Sequence, residues 1–351
     1  MRGQKSVLDY LQLRILSCYS EALLLKQGKM PKPRMAIVYP TYVCNHSCLG
    51  CDYIRLNKTK HSLSERQFMK VINQLIDIGV QGIEFCGGGE PTLHASLPKV
   101  LDKLIKHNIT FGFLTNGTNL NQKLQEQLVK KGSYCRVSLE SATEKIFNFY
   151  KRPINKKAGF ENVLKNIKNL VSLRNSCLPQ TKLQISIKYT VDNNNFSDVT
   201  KAVKFAEELK VDSIQFKLAR NVDSELKDSR LVKKLKKEVA QMKHDYPDLR
   251  IMANFEKSQL KDKCWLAPLQ LVVDPYGDVY ICCYYHHRIK NHCLGNMLKQ
   301  DLKTIWHSKK TQKKLAEIDI NDCNKYDCRF HYYNELMRKV VIDDIGQLNF
   351  I

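Results

Sequence analysis

A chain of 351 residues with 43% hydrophobic content is long enough for two domains, or for one large α/β domain with an extension. Its net charge of +22 raises a nucleic-acid partner. The surplus, however, is mostly lysine spread through amphipathic helices such as "LVKKLKKEVAQMKHD", so most of it reads as solvated surface. No segment has the length and purity of a membrane span, and thirteen cysteines without a secretory signal argue against a disulfide framework and for metal or redox chemistry in a reducing cytoplasm.

The first apolar stretch, Val7 to Leu25, is interrupted by Asp9, Arg14 and Glu21 and lacks a small-residue cleavage site. It predicts an amphipathic helix packed on the main body, with a membrane-surface helix as the alternative. "RMAIVYP" predicts a first strand running straight into the loop that holds Cys44, Cys48 and Cys51. Ser64 then opens a helix with Gln67 in capping-box position and Phe68, Val71, Ile72, Leu75 and Ile76 as its apolar face. "GIEFCGGGEP" is a strand entering a glycine-rich turn. A helix over Leu97 to Lys106, the strand "ITFGFLTNG", a helix over Leu120 to Lys131 and the strand "YCRVSLE" follow. A helix from Phe160 to Leu173, the strand "LQISIKYTV", a helix from Val199 to Leu209 and the strand "SIQFKLA" complete the series.

Six strands with intervening helices imply a parallel sheet, and six units fall short of an eight-unit barrel. The expected fold is therefore α/β, an open or partial barrel. Ligands in such folds gather at the carboxyl ends of the strands, where Cys44, Gly87 to Glu90, Asn116 and Glu140 all fall. Beyond about Ser224 the pattern changes to a charged helix (Leu226 to His244) and then a cysteine-bearing segment, "LQLVVDPYGDVYICCYYH", whose "DPYGD" reads as a hairpin turn. The expected divisions are an N-terminal helical segment (1–34), a core (35–223), a helical connector (224–258), a cysteine-rich extension (259–340) and a C-terminal tail (341–351).

Cys44, Cys48 and Cys51 are spaced C-x3-C-x2-C. Thiolates suit zinc or iron–sulfur clusters, and a structural zinc site needs four protein ligands. His46 and His61 could complete a Cys3His zinc site, but that reading leaves "GGGEP" unexplained. In a cubane, three cysteines hold three irons and leave the fourth open to a chelating amine and carboxylate.

C-x3-C-x2-C after a first strand, with "GGGEP" after a second, resembles the radical S-adenosylmethionine (radical SAM) superfamily over roughly Met35 to Leu218. The resemblance implies a (β/α)6 TIM-like partial barrel and a [4Fe–4S] cluster held by Cys44, Cys48 and Cys51 and chelated by SAM. Reductive cleavage of SAM to a 5′-deoxyadenosyl radical, followed by hydrogen abstraction from a substrate carbon, is the implied chemistry. Gly88, Gly89 and Glu90 match the motif whose backbone meets the methionine amino group. Ser138 and Glu140 in "VSLESATEKIFNFYKRP" are candidates for the SAM carboxylate and ribose, and Arg152 for the carboxylate, with a surface arginine as its alternative. Asn116 either lines the cavity or serves its turn. The family carries an aromatic residue before the third cysteine where this chain has Gly50, and Tyr53 is the candidate to cover the adenine instead. Cys86, Cys18, Cys135 and Cys177 read as packing residues.

Cys264, Cys282, Cys323 and Cys328, with Gly277 five residues before Cys282, resemble the SPASM/twitch extension of the same enzymes. The shorter twitch form, with one auxiliary [4Fe–4S] cluster, is expected. Cys283 and Cys293 are rivals of Cys328 for the fourth ligand, and zinc on the same cysteines is the alternative. The resemblance further implies an external one-electron reductant such as flavodoxin or ferredoxin. The leading expectation is a dehydrogenase- or epimerase-type oxidoreductase acting on a small molecule of sugar or aminocyclitol type. Peptide modification, RNA modification and a non-catalytic zinc or iron–sulfur nucleic-acid-binding protein are the alternatives. Lys188, Tyr189, Gln215 and Lys217 fall on late strands, and alternation puts Gln215 and Lys217 on one side without saying which.

Overall fold

The computed structural model describes residues 17–220, 222–256, 259–325, 328 and 330–341. Most of the predicted N-terminal helix and the C-terminal tail lie outside them. From Tyr19 to Lys26 the N-terminal segment is helical (α1), and Ala22 packs with Leu269, Met337 and Val341 in a small satellite core.

The six expected strands are present: β1 (Met35–Val38), β2 (Gly82–Phe85), β3 (Thr110–Thr115), β4 (Gly132–Ser138), β5 (Gln184–Val191) and β6 (Ser213–Leu218). Each pairs in parallel with the next. The helices between them are α2 (Ile54–Asn57), α3 (Glu65–Ile78), α4 (Leu97–Lys106), α5 (Gln122–Lys131), α6 (Glu144–Lys151), α7 (Phe160–Ser176) and α8 (Val199–Glu208). The capping box forms as its spacing predicts. Ser64 Oγ accepts from the Gln67 N–H, Gln67 Oε1 accepts from the Ser64 N–H, and α3 stops at Gly79 with φ +94°.

Two features extend the sheet beyond the expected six strands. The charged helix α9 (Ser229–Asp245) is followed inside the expected connector by β7 (Arg250–Asn254), parallel to β6. Beyond residue 259, β8 (Gln270–Val273) returns to the opposite edge and pairs in parallel with β1. β9 (Asp278–Tyr280) and β10 (Cys293–Asn296) then continue antiparallel, giving the order β10-β9-β8-β1-β2-β3-β4-β5-β6-β7. The cysteine-rich extension is thus built onto the first barrel strand. It is anchored on α3 as well, through Gln74, whose amide donates to the Met297 carbonyl and accepts from the Leu302 N–H. The "DPYGD" turn forms, with Gly277 at φ +80° and Asp274 accepting from the Tyr276 and Asp278 N–H groups. The extension ends in α10 (Ile289–His292), α11 (Leu302–Trp306), α12 (Lys309–Ala316), α13 (Ile320–Asn324) and α14 (His331–Val341).

Strand alternation sorts the two faces. Val38, Phe85, Phe113, Val137, Ile187 and Phe216 enter the main core beneath the helices. On the opposite, inner face stand Glu84, Tyr134, Arg136, Ser138, Lys188, Thr190, Gln215 and Lys217, so the concave surface is polar. Nearer β1 and β8 this face turns aromatic, with Tyr39, Tyr280 and Tyr285 buried against Ile37 and Val272.

Candidate functional site

The cysteine loop leaves β1 and is clamped on two sides by backbone hydrogen bonds. On one side the glycine turn lies against it: Gly89 N–H donates to the Thr41 carbonyl at 3.1 Å and Glu90 N–H to the Val43 carbonyl at 2.8 Å. A Cβ on Gly88 would stand 2.5 Å from the Tyr42 ring, and one on Gly89 would stand 2.2 Å from the Val43 carbonyl oxygen. These two positions therefore accept only glycine because of the loop beside them. On the other side the chain after α6 docks: Leu49 N–H donates to the Tyr150 carbonyl, Ser47 N–H to Arg152 and Ile154 N–H to Asn45.

Glu90 is fully buried and saturated. Its carboxylate accepts from the Thr92 N–H and hydroxyl, the Thr115 hydroxyl at 2.7 Å and the Asn116 N–H at 2.6 Å, tying the glycine turn to the end of β3. Burial nonetheless pushes its carboxyl above the ordinary range. Asn116 serves its turn, its Oδ1 accepting from the Thr118 N–H and hydroxyl, and its Nδ2 donates to Asn45, next to Cys44.

The three thiols are partly buried. Burial pushes Cys44 up to about 12 and Cys48 up to about 11, and raises Cys51 as well. Such thiols become thiolates when a cation takes them. Among the described residues no three cysteine sulfurs lie within 4.8 Å of one another, whereas a tetrahedral zinc with Zn–S of about 2.3 Å would hold them closer. The histidines of the zinc alternative are engaged elsewhere: His46 Nε2 donates to the Ala158 carbonyl at 2.8 Å, and His61 stacks on Tyr276. Soft thiols too far apart to share one tetrahedral zinc fit an iron–sulfur cluster better than a closed zinc site.

The cation beside these thiols was not foreseen. Lys151, with a side chain 4% exposed, forms an ion pair with Glu140, whose carboxylate also accepts from the Thr190 hydroxyl. Burial opposes the charge on Lys151, but Glu140 and the Cys48 and Cys44 thiols outweigh it and hold the ammonium above its ordinary value. Burial likewise opposes Glu140, while Lys151 and Lys188 hold its carboxyl below the usual range. Arg152, the sequence candidate, is exposed; it ends α6 in the left-handed conformation at φ +47° and contributes its backbone carbonyl to the cysteine loop. Ser138 stands at the last position of β4 on the inner face, paired with Lys188.

Gly50 has φ +71°, a conformation in which an aromatic residue would be strained, which accounts for its place before Cys51. Tyr53 turns toward the extension. Its hydroxyl donates to the Cys283 carbonyl at 2.9 Å, lies 3.1 Å from the Tyr39 hydroxyl, and its ring sits 4.4 Å from His286.

In the extension, Cys264, Cys282, Cys283, Cys323 and Cys328 are close enough to act electrostatically on one another. Burial pushes Cys328 up to about 12. Arg288 Nη1 donates to Cys323 Sγ at 3.2 Å, and Cys282 Sγ is 3.7 Å from His292 Nδ1. Of the two rivals, Cys283 belongs to this group. Cys293 sits on β10, its charge environment set by Asp278, Lys314 and Lys310. Cys135 is buried in the core as expected, while Cys86 is half-buried at the end of β2 beside Tyr39, Tyr53 and Lys188.

Residues 38–187 match the family model of the radical SAM superfamily, and residues 264–329 match the SPASM iron–sulfur cluster-binding domain. The chain is 22% identical over 317 residues to the antilisterial bacteriocin subtilosin biosynthesis protein AlbA of Bacillus subtilis strain 168, a match covering 87% of this chain and 67% of AlbA. It is 23% identical over 297 residues to the mycofactocin maturase MftC of Mycolicibacterium smegmatis, covering 79% of this chain and 71% of that protein. Among solved structures, Streptococcus suis SuiB bound to the precursor peptide SuiA superposes with a TM-score of 0.66 at 15% identity, over 91% of this chain and 74% of that one, a likeness of fold. Among the described residues no helix is long and apolar enough to cross a membrane.

Proposed function

From the chain's membership of the radical SAM superfamily, with a SPASM extension and hence a SAM-bound [4Fe–4S] cluster and auxiliary iron–sulfur, we propose that it is a peptide-modifying enzyme of the maturase type. The observation that carries this reading is the match to AlbA, a bacteriocin biosynthesis protein, across 87% of this chain, with a mycofactocin maturase matching over 79%. The small-molecule reading, with its sugar or aminocyclitol substrate and its dehydrogenase or epimerase type, has less behind it than this alternative.

In the proposed site Cys44, Cys48 and Cys51 hold the cluster that binds SAM. Cys264, Cys282, Cys323 and Cys328, with Cys283 beside them, hold auxiliary iron–sulfur. When bound, the SAM-ligated cluster supplies the electron that cleaves SAM and so generates the radical that takes a hydrogen atom from the substrate. The chain's own residues keep the geometry. Gly88 and Gly89 let the glycine turn close on the cysteine loop, and Glu90 holds the turn itself through two accepted hydrogen bonds from Thr92 and pins it to the end of β3 through two more from Thr115 and Asn116. Lys151 sets a fixed positive charge beside Cys48 and is held there by Glu140. Tyr53 and Tyr39 close the β1 side of the inner face against the extension, limiting water there.

The test is an anaerobic incubation of reconstituted protein with dithionite, SAM and a pool of synthetic peptides, read by mass spectrometry. The reading predicts 5′-deoxyadenosine together with a mass change confined to particular peptides. Deoxyadenosine whose formation is accelerated by sugars, with every peptide unaltered, would favour the small-molecule alternative.

A further inference from the structure

We propose that Lys188 receives a carboxylate of the substrate, so that the peptide enters with an acidic side chain or its C-terminal carboxylate set against the inner wall of the barrel. This rests on the peptide reading above. β5 sends Ile185, Ile187, Tyr189 and Val191 into the core beneath the helices, which leaves Ser186, Lys188 and Thr190 on the inner face. The register sets Lys188 between Ser138 of β4 and Gln215 of β6, toward the strand ends where the cysteine loop and glycine turn lie.

Among the described residues Lys188 itself has no close counter-ion, which favours an anion beside it. Lys188 lies within electrostatic reach of two further ammonium groups, Lys151 and Lys217, and of one carboxylate, Glu140. Glu140 is already committed to its ion pair with Lys151 and to the Thr190 hydroxyl. The Lys188 ammonium has no hydrogen bond or ion pair among the described residues, and the residue is half-buried on the inner face. Burial, and then the like charges of Lys151 and Lys217, hold its pKa below the ordinary lysine value. An arriving carboxylate would relieve that repulsion and form a charge-assisted hydrogen bond. Its surroundings suit a peptide: the Ser186 and Ser213 hydroxyls, 2.8 Å apart, lie deeper on the same face. Tyr134, donating to Glu84, adds a further polar group there.

The test uses anaerobic, SAM-loaded holoprotein and two capped tripeptides, alanyl-glutamyl-alanine and its glutaminyl counterpart, with glutarate and glutaramate as non-peptide probes. Binding is followed by ligand-observed NMR at equal iron loading for the wild type, Lys188→Met and Lys188→Arg. We expect the glutamyl peptide to bind about tenfold more tightly than the glutaminyl one, the size of a partly desolvated charge pair. Lys188→Met should abolish the preference and Lys188→Arg should keep it. Equal binding of the two peptides would overturn the inference and leave the peptide reading standing. A Lys188-dependent preference for glutarate over glutaramate, with neither peptide bound, would do the reverse. A preference that survives in Lys188→Met would overturn it too, as would loss of SAM affinity in that variant without peptide, which would assign the ammonium to the cofactor.

Discussion

Lys151→Met is the single change that most directly probes the charge placed beside the cysteine loop. The Lys151 side chain is 4% exposed and that of Glu140 15%, so both groups have given up most of their water to form the pair. Removing one partner leaves the other with its desolvation cost and little compensation, a loss of about 3 kcal/mol in buried pairs. The Thr190 hydroxyl at 3.2 Å and the nearby Lys188 recover part of it, so a deficit of about 2 kcal/mol is expected. In a chain of this size that corresponds to a Tm lower by roughly 3 °C. The double variant Lys151→Met/Glu140→Gln should recover most of the deficit, since no charge is then stranded. The pH dependence follows from the shifts. Glu140 is held below its ordinary carboxyl value of 4.5, so its contribution is present above that pH and lost on acidification. Lys151 is held above its ordinary 10.5, so its contribution is present below that pH and lost as the solution becomes more alkaline. Thermal unfolding of anaerobic holoprotein between pH 5 and about 10 should show a constant deficit. A loss under about 0.5 kcal/mol, the behaviour of an exposed pair, or simple additivity in the double variant would refute the reasoning.

Three further substitutions test other parts of the site. Gly89→Ala puts a methyl 2.2 Å from the Val43 carbonyl oxygen, a backbone atom that cannot swing aside, so the turn must part from the cysteine loop. Iron retention after desalting should drop several-fold, whereas Gly28→Ala, with nothing within 4 Å of the added carbon, should cost only about 1 kcal/mol of backbone strain and keep its iron. Arg152→Ala should change SAM affinity less than about twofold by equilibrium dialysis, because the exposed guanidinium is not what docks on the loop. Cys293→Ser should retain the full iron content of the wild type, while Cys264→Ser should lose auxiliary iron, as measured by colorimetric iron assay on anaerobically purified protein.

Local features were legible in the sequence; those made by distant segments were not. Ser64 and Gln67 close their capping box within four residues, and the six core strands carry alternation strong enough to place them. Cys44, Cys48 and Cys51 announce themselves by spacing. β7 escaped because "RIMAN" is short and carries polar ends, and the pairing of β8 with β1 joins residues more than two hundred positions apart. Between Lys151 and Arg152 the decision lay in the left-handed end of α6, which leaves Lys151 buried and Arg152 outside. The sequence singles out Gly88 and Gly89 by their motif, whereas the close approach of Tyr42 to Gly88 and of Val43 to Gly89 is visible only once the cysteine loop folds against the turn. Gln215 and Lys217 could be put on one side by alternation, and only the packing of Ile214 and Phe216 beneath the helices shows that this side is the inner one.

The central claim is a radical enzyme, and it is tested most directly by anaerobic reconstitution followed by iron and sulfide analysis and an assay for 5′-deoxyadenosine with dithionite and SAM. The account predicts about eight iron atoms per chain and deoxyadenosine formation that vanishes when Cys44, Cys48 and Cys51 are replaced by alanine. Zinc in place of iron, with no deoxyadenosine formed, would contradict it.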